Sequence, residues 1–146
     1  MASDLSVFID DIRLNIRVGV VMRHGDDVVL EFSNAAKHVV IPGGRMKIGE
    51  PSNVAIVREI EEEMGIKLDS SKLEMTKCFE NFYSYQNYDN HEIYFIFNYE
   101  LSDEELDHVL KLEKNKDNED SYFKVVSRHT VEELFILPTC LVDLLK

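Results

Sequence analysis

The chain has 146 residues, 45% hydrophobic and 10% aromatic, with six Gly and three Pro. Roughly 100 to 200 residues make one domain, and this mixture excludes a disordered or low-complexity segment. Sixteen Lys and Arg against 28 Asp and Glu give a formal charge of −12, which repels polyanions and excludes nonspecific nucleic-acid or anionic-membrane binding, so that a small anionic ligand needs a cation as mediator.

The segment Met1-Ala2-Ser3-Asp4-Leu5 is acidic where a secretory leader is basic, and no apolar run approaches a membrane span; a cytoplasmic, membrane-free protein is expected. Cys78 and Cys140 lack the spacing of a zinc site and read as reduced, structural thiols. Residues 17–22 and 28–32 are β-rich runs around His24-Gly25-Asp26-Asp27, a hairpin signal. The short run 38–41 ends at Pro42-Gly43-Gly44, read as a sharp turn off a strand. Ser52 to Met64 is a helix with Pro51 before it and Gly65 after it. Residues 73–85 and 92–101 are aromatic, β-branched strands separated by the polar loop 86–90. Ser102-x-x-Glu105 has capping-box spacing ahead of a short surface helix. Residues 114–120 read as a solvated loop and 122–126 as a strand, and 130–135 and 138–145 as closing helices.

On the helix, at about 100° per residue, Val57, Ile60 and Met64 share one side with Ile56 at its edge. Glu59, Glu62 and Glu63 fall on another stripe. Like charges at that spacing repel, so something cationic should offset them, and a divalent metal is the natural candidate. A solvated acidic face is the ordinary alternative. The surrounding spacing decides between them: Gly44, five residues, Glu50, seven residues, Arg58-Glu59-Ile60, one residue, Glu62-Glu63, one residue, Gly65-Ile66. At every fixed position this resembles the signature of the Nudix hydrolases, and the order of elements on either side is similar to theirs.

The resemblance implies an α/β fold, an α/β/α sandwich with a mixed β-sheet in which the signature forms loop, helix and loop, built as one domain over 1–146. It implies hydrolysis of a nucleoside diphosphate linked to another moiety, with Mg2+ or Mn2+ held by helix glutamates. By match to the signature, Glu62 and Glu59 come first as metal ligands and Glu63 next, with the carbonyl of Gly43 or Gly44 completing the shell. Glu50 reaches metal through water or pairs with Arg58, which is expected to orient the carboxylates. For the general base Glu59 stands first, Glu92 second and Glu80 third. Arg45, and with it Lys47, is placed to reach phosphate, or is simply solvated.

Tyr83, Tyr85 and Tyr88 are candidates to stack on a nucleobase. Packing on the sheet is the commoner role for Tyr83 and Tyr85, and Tyr88 is left as the freer of the three. His91 beside Glu92 is either a catalytic pair or an ordinary loop-end histidine. The partner expected is a small nucleoside diphosphate derivative, with a capped RNA end as the one nucleic-acid exception; the oligomeric state, homodimer included, stays open. The competing functional class is a noncatalytic nucleotide or nucleotide-sugar sensor, which has no need of a full carboxylate set.

Overall fold

The computed structural model describes residues 2–85 and 87–146; Met1 of the acidic amino terminus and Gln86 of the expected polar loop lie outside the described residues. The architecture is α/β, with a mixed seven-stranded sheet and few helices. Its spine is β2 (Ile12–His24), in which Val18, Val20, Val21 and Met22 are all fully buried. Burial on both sides of one strand requires a packed layer on each side.

One edge of β2 runs parallel to β6 (Tyr88–Glu100) along 12–23. Its other edge is shared by three antiparallel partners in turn: β1 (Ser6–Ile9) opposite 12–15, β4 (Gly43–Arg45) opposite 17–19, and β3 (Asp27–Ser33) opposite 23–24. β5 (Glu74–Tyr85) borders β6, and β7 (Ser121–Ser127) borders β3.

Alternation along the strands separates two cores. Val18, Val20, Val29, Phe97 and Tyr99 meet Ala55, Ile56, Ile60 and Met64 of α1 (Ser52–Met64) and Val109 of α2 (Asp103–Lys111). Val21, Val28, Leu30, Tyr94 and Ile96 meet Val131, Ile136, Leu141 and Leu145 of the carboxyl-terminal segment. α1 stops at Gly65, whose φ of +72° is a left-handed conformation that costs glycine least. α2 begins with the reciprocal capping box of Ser102 and Glu105.

Several expectations are corrected. β1 went unread because its apolar residues Val7, Phe8 and Ile9 are exposed and show no buried alternation. Residues 38–41 form no strand: Val40 bridges Glu31 and Val39 bridges Ile136, one on each side. Gly43 and Gly44 belong to β4 rather than to a turn alone. The polar loop 86–90 shrinks because Tyr88, Asp89 and Asn90 start β6, with Asn87 in a left-handed turn at φ +68°. The segment expected as a helix at 130–135 is a 3-10 turn over Arg128–Glu133, and α3 spans only Leu141–Leu145. Such short segments draw their geometry from packing more than from propensity.

Candidate active site

One guanidinium ties the loop after β4 to α1. Arg58 donates from Nε to Glu50 Oε2 at 2.7 Å and from Nη2 to Glu50 Oε1 at 3.0 Å, a bidentate pair. The same side chain donates to the carbonyl of Arg45 at 3.1 Å, to Glu59 Oε1 at 3.1 Å and to Glu62 Oε2 at 3.3 Å. Hydrogen bonding to Arg58 holds the Glu50 carboxyl below its usual range. Part of the positive charge expected against the acidic stripe is therefore Arg58 itself.

The three helix carboxylates occupy different environments. Glu62 is exposed, at 44% of its side chain, whereas Glu59 retains 13%. The Glu59 carboxyl lies against Gly44, where an added Cβ would sit 2.4 Å from it; a Cβ on Gly43 would sit 2.1 Å from the Val18 carbonyl oxygen. Close approach to backbone thus requires glycine at Gly43, whereas a side chain at Gly44 would displace the Glu59 carboxyl. Burial, partly offset by Arg58, raises the Glu59 carboxyl.

Glu63 is buried, at 5% exposure, because it stands two turns beyond Ile56 on the core edge of α1. Burial first, then the carboxylates of Glu31 and Glu59, push it up to about 9. Its Oε2 has no hydrogen-bond partner among the described residues. Glu31, from β3, is half-buried, accepts from Asn115 Nδ2 at 2.8 Å, and is itself raised by burial.

Among the described residues no three His, Cys, Asp or Glu side chains gather tightly enough to make a closed metal shell. Arg58 holds Glu59 and Glu62 as arranged here. The donors present are nonetheless all hard oxygens, one of them buried and unpartnered, which suits Mg2+ or Mn2+.

Of the strand residues, Glu92, Asn81 and Tyr83 lie on the sheet face away from α1. Glu92, at 4% exposure, accepts from Tyr83 Oη at 3.0 Å and Asn81 Nδ2 at 3.3 Å, with Arg17 Nε at 3.8 Å. Burial, then Glu92, pushes the Tyr83 phenol up to about 12. His91 points to the other side of β6, against Phe82 and 3.3 Å from Glu80, so it does not pair with Glu92. Successive strand residues face opposite ways.

Tyr88 accepts from Arg13 Nη1 at 2.6 Å and meets Phe8 edge-on, and is not the freer tyrosine the sequence suggested. Tyr83 and Tyr85 are exposed rather than packed, at 39% and 61%, since β5 is an edge strand with little covering it. Arg45 stands opposite Arg17 across β4 and β2. Sequence reading missed Arg13, Arg17 and Glu31; a charged residue between Ile16 and Val18 in an otherwise apolar strand was the available signal.

Comparison with known proteins places the chain. The NUDIX domain model matches residues 13–142. The 8-oxo-dGTP diphosphatase of Escherichia coli (strain K12) is 33% identical over 58 residues, 37% of this chain and 45% of that enzyme, so the match spans under half of its length. A MutT protein from Bacillus halodurans superposes with a TM-score of 0.68 at 20% identity, covering 85% of this chain and 75% of its own. A MutT protein from Methanosarcina mazei Go1 gives 0.65 at 16%, covering 94% of each chain. At these identities the structures establish the fold.

Proposed function

Because this chain belongs to the Nudix hydrolase family, we propose that it is a divalent-metal-dependent pyrophosphohydrolase that cleaves a nucleoside diphosphate linked to a further moiety, by attack of water on phosphorus. The observation that carries this is the buried Glu63 carboxyl, unpartnered at Oε2 and crowded by Glu59 and Glu31. Such a group must hold a proton or face a cation. Glu59, Glu62 and Glu63, with the carbonyl of Gly43, are the residues that would hold Mg2+ or Mn2+. When bound, such an ion neutralises charge developing on the phosphoryl group and lowers the pKa of a bound water.

The chain's own contribution is positional. Glu50 fixes Arg58, and Arg58 sets the Glu59 and Glu62 carboxyls while anchoring the Arg45 carbonyl. Glu59, enclosed by Gly44 and raised by burial, is the general base we favour. Glu92 is second: it lies beyond the sheet from α1 and is occupied by Tyr83 and Asn81. Glu80, with Oε2 3.3 Å from His91 Nε2 on the opposite face from Glu92, stays third.

Substrates are small nucleotides, taken up in the cytoplasm; no helix among the described residues is long and apolar enough to cross a membrane. The test is a panel of nucleoside triphosphates, oxidised nucleotides, nucleotide sugars, dinucleoside polyphosphates and capped RNA, with Mg2+ and with Mn2+. Glu62→Gln should remove nearly all turnover and leave the fold intact. Wild-type-like turnover of that variant at saturating Mg2+ would overturn the assignment, and binding without turnover across the panel would identify a sensor.

A further inference from the structure

Glu31 lies outside the Gly44-to-Ile66 spacing, yet it shares the buried side of α1 with Glu63. On β3, Val29 belongs to the core beneath α1, and Glu31, two residues on, faces the same way. Its cross-strand partner Phe123 packs in that core with Ile60 and Met64. The loop between α2 and β7 spans the two glutamates with adjacent residues. Asn115 Nδ2 donates to Glu31 Oε2 at 2.8 Å, and the Lys116 main-chain N donates to the Glu63 carbonyl at 2.8 Å.

The surroundings of Glu31 fix its carboxyl without neutralising it. Asn115 is buried, and its own Oδ1 accepts from Asp117 N at 2.8 Å, which orients the amide so that Nδ2 meets Glu31. The second donor, Ser121, is likewise buried and neutral. A buried carboxylate is ordinarily paired with a cation or bound to a metal. Arg17 is the favourable charge acting on both Glu31 and Glu63, and it is shared with Glu59 and Glu92. A single guanidinium so divided does not neutralise the pair. Glu63, 5% exposed, has no hydrogen-bond partner at Oε2 among the described residues, and after burial Glu31 is the largest influence raising its carboxyl. One carboxyl oriented by neutral donors beside another with an unpartnered oxygen keeps the negative charge that a hard cation needs.

We propose that Glu31 is a further metal-ligating residue, holding the inner side of the divalent cation together with Glu63, and that Asn115 is the positioning residue that aims it. Two carboxylates, with water and substrate oxygens in the rest of the shell, suit Mg2+ or Mn2+. That the cation serves hydrolysis rests on the hydrolase reading above; that Glu31 and Glu63 bind it does not. The site then draws on β3, α1 and the loop before β7, so cation binding should fasten that loop to the sheet.

The experiment is titration of the full chain with Mn2+ and no nucleotide, free Mn2+ being read by electron paramagnetic resonance, alongside melts in chelator and in Mn2+. Asn115→Ala, which keeps the Glu31 carboxyl and removes its fixing donor, should weaken Mn2+ binding about tenfold, and Glu31→Gln by more. Glu74→Gln, an exposed carboxylate on β5, should bind like wild type and controls for the change in net charge. In chelator Glu31→Gln should melt no lower than wild type, since repulsion on Glu63 is relieved, and its rise in Tm with Mn2+ should be smaller. Circular dichroism reports whether each variant folds; if Glu31→Gln does not, Glu31→Asp and Asn115→Ala decide by the same titration. Wild-type Mn2+ affinity in the Glu31 variant overturns the proposal, as does absence of Mn2+ binding by wild type. A lower melt in chelator with an unchanged response to Mn2+ overturns it too, marking a purely structural carboxyl. If Glu62→Gln abolishes turnover while Glu31→Gln binds Mn2+ normally, the hydrolase reading stands and the Glu31 ligand fails. If Glu31→Gln loses Mn2+ but wild type hydrolyses nothing in the panel, the Glu31 ligand stands and the hydrolase reading fails.

Discussion

Glu63 shows how one side chain carries opposite demands. In the metal-free protein its carboxyl titrates at about 9 against an ordinary value of 4.5, so between those limits the native state keeps a proton that the unfolded chain has lost. Its contribution to stability is complete below the lower value and is lost as pH rises toward the upper one. Glu63→Gln, neutral throughout, should therefore raise the melting temperature of the metal-free protein near pH 8 relative to wild type and flatten the decline from mildly acid to alkaline pH. Melts in chelator at several pH values measure this, and parallel curves for the two proteins would refute it. Its partial legibility is instructive: the spacing to Glu59 marked it as a carboxylate of the set, but only the packing of Ile56 shows that it alone is buried.

At the scale of elements, the loop after β4 and the first half of α1 form a unit because Arg58 satisfies three carboxylates and a carbonyl together. Removing it strands Glu50, 13% exposed, without its bidentate partner. Hydrogen bonds to charged groups contribute about 1.5–3 kcal/mol, so Arg58→Ala should cost about 2 kcal/mol in a urea titration and lower turnover more than Glu50→Gln does. An unchanged midpoint would show that the loop is held elsewhere. α2 depends instead on its first turn, where Ser102 Oγ accepts from Glu105 N at 3.1 Å and Glu105 Oε1 accepts from Ser102 N at 2.9 Å. Ser102→Ala should cost about 1 kcal/mol. Because the Ser102 cap engages only Glu105 and no carboxylate of α1, kcat should stay unchanged; a loss of activity without a loss of stability would reverse that separation. Helices with such end signals were readable in the chain, whereas β1 and β4, short and held by pairing to β2, were not.

For the whole molecule, a surface of 28 acidic against 16 basic residues stores self-repulsion that salt screens and cations relieve. A metal that binds only the folded state stabilises it by about 2.7 kcal/mol at a hundredfold excess over Kd, equivalent to a rise of several degrees in Tm. Mg2+ should therefore raise Tm beyond what equal ionic strength of a monovalent salt achieves, and a nonhydrolysable diphosphate added with it should raise Tm further. Coincident melts under all these conditions would rule out a shared metal and phosphate site.

The sequence by itself determined the loop from Gly44 to Glu50, helix α1, its carboxylates and the family, because those features rest on spacing within 23 consecutive residues and on local end signals at Pro51 and Gly65. It also determined the hairpin of residues 17–22 and 28–32 through two β-rich runs around Gly25, while the central place of β2 and its cover on both faces came from the packing. Tertiary structure alone decided that Glu63 is buried beside Glu31, that His91 faces Glu80 rather than Glu92, and that Tyr83 and Tyr85 sit on an exposed edge. It alone set Arg45 opposite Arg17, across residues 28 positions apart in the chain. The physical reason is register: a one-residue slip turns every side chain of a strand to the other face, and register comes from pairing between distant segments that no local pattern encodes.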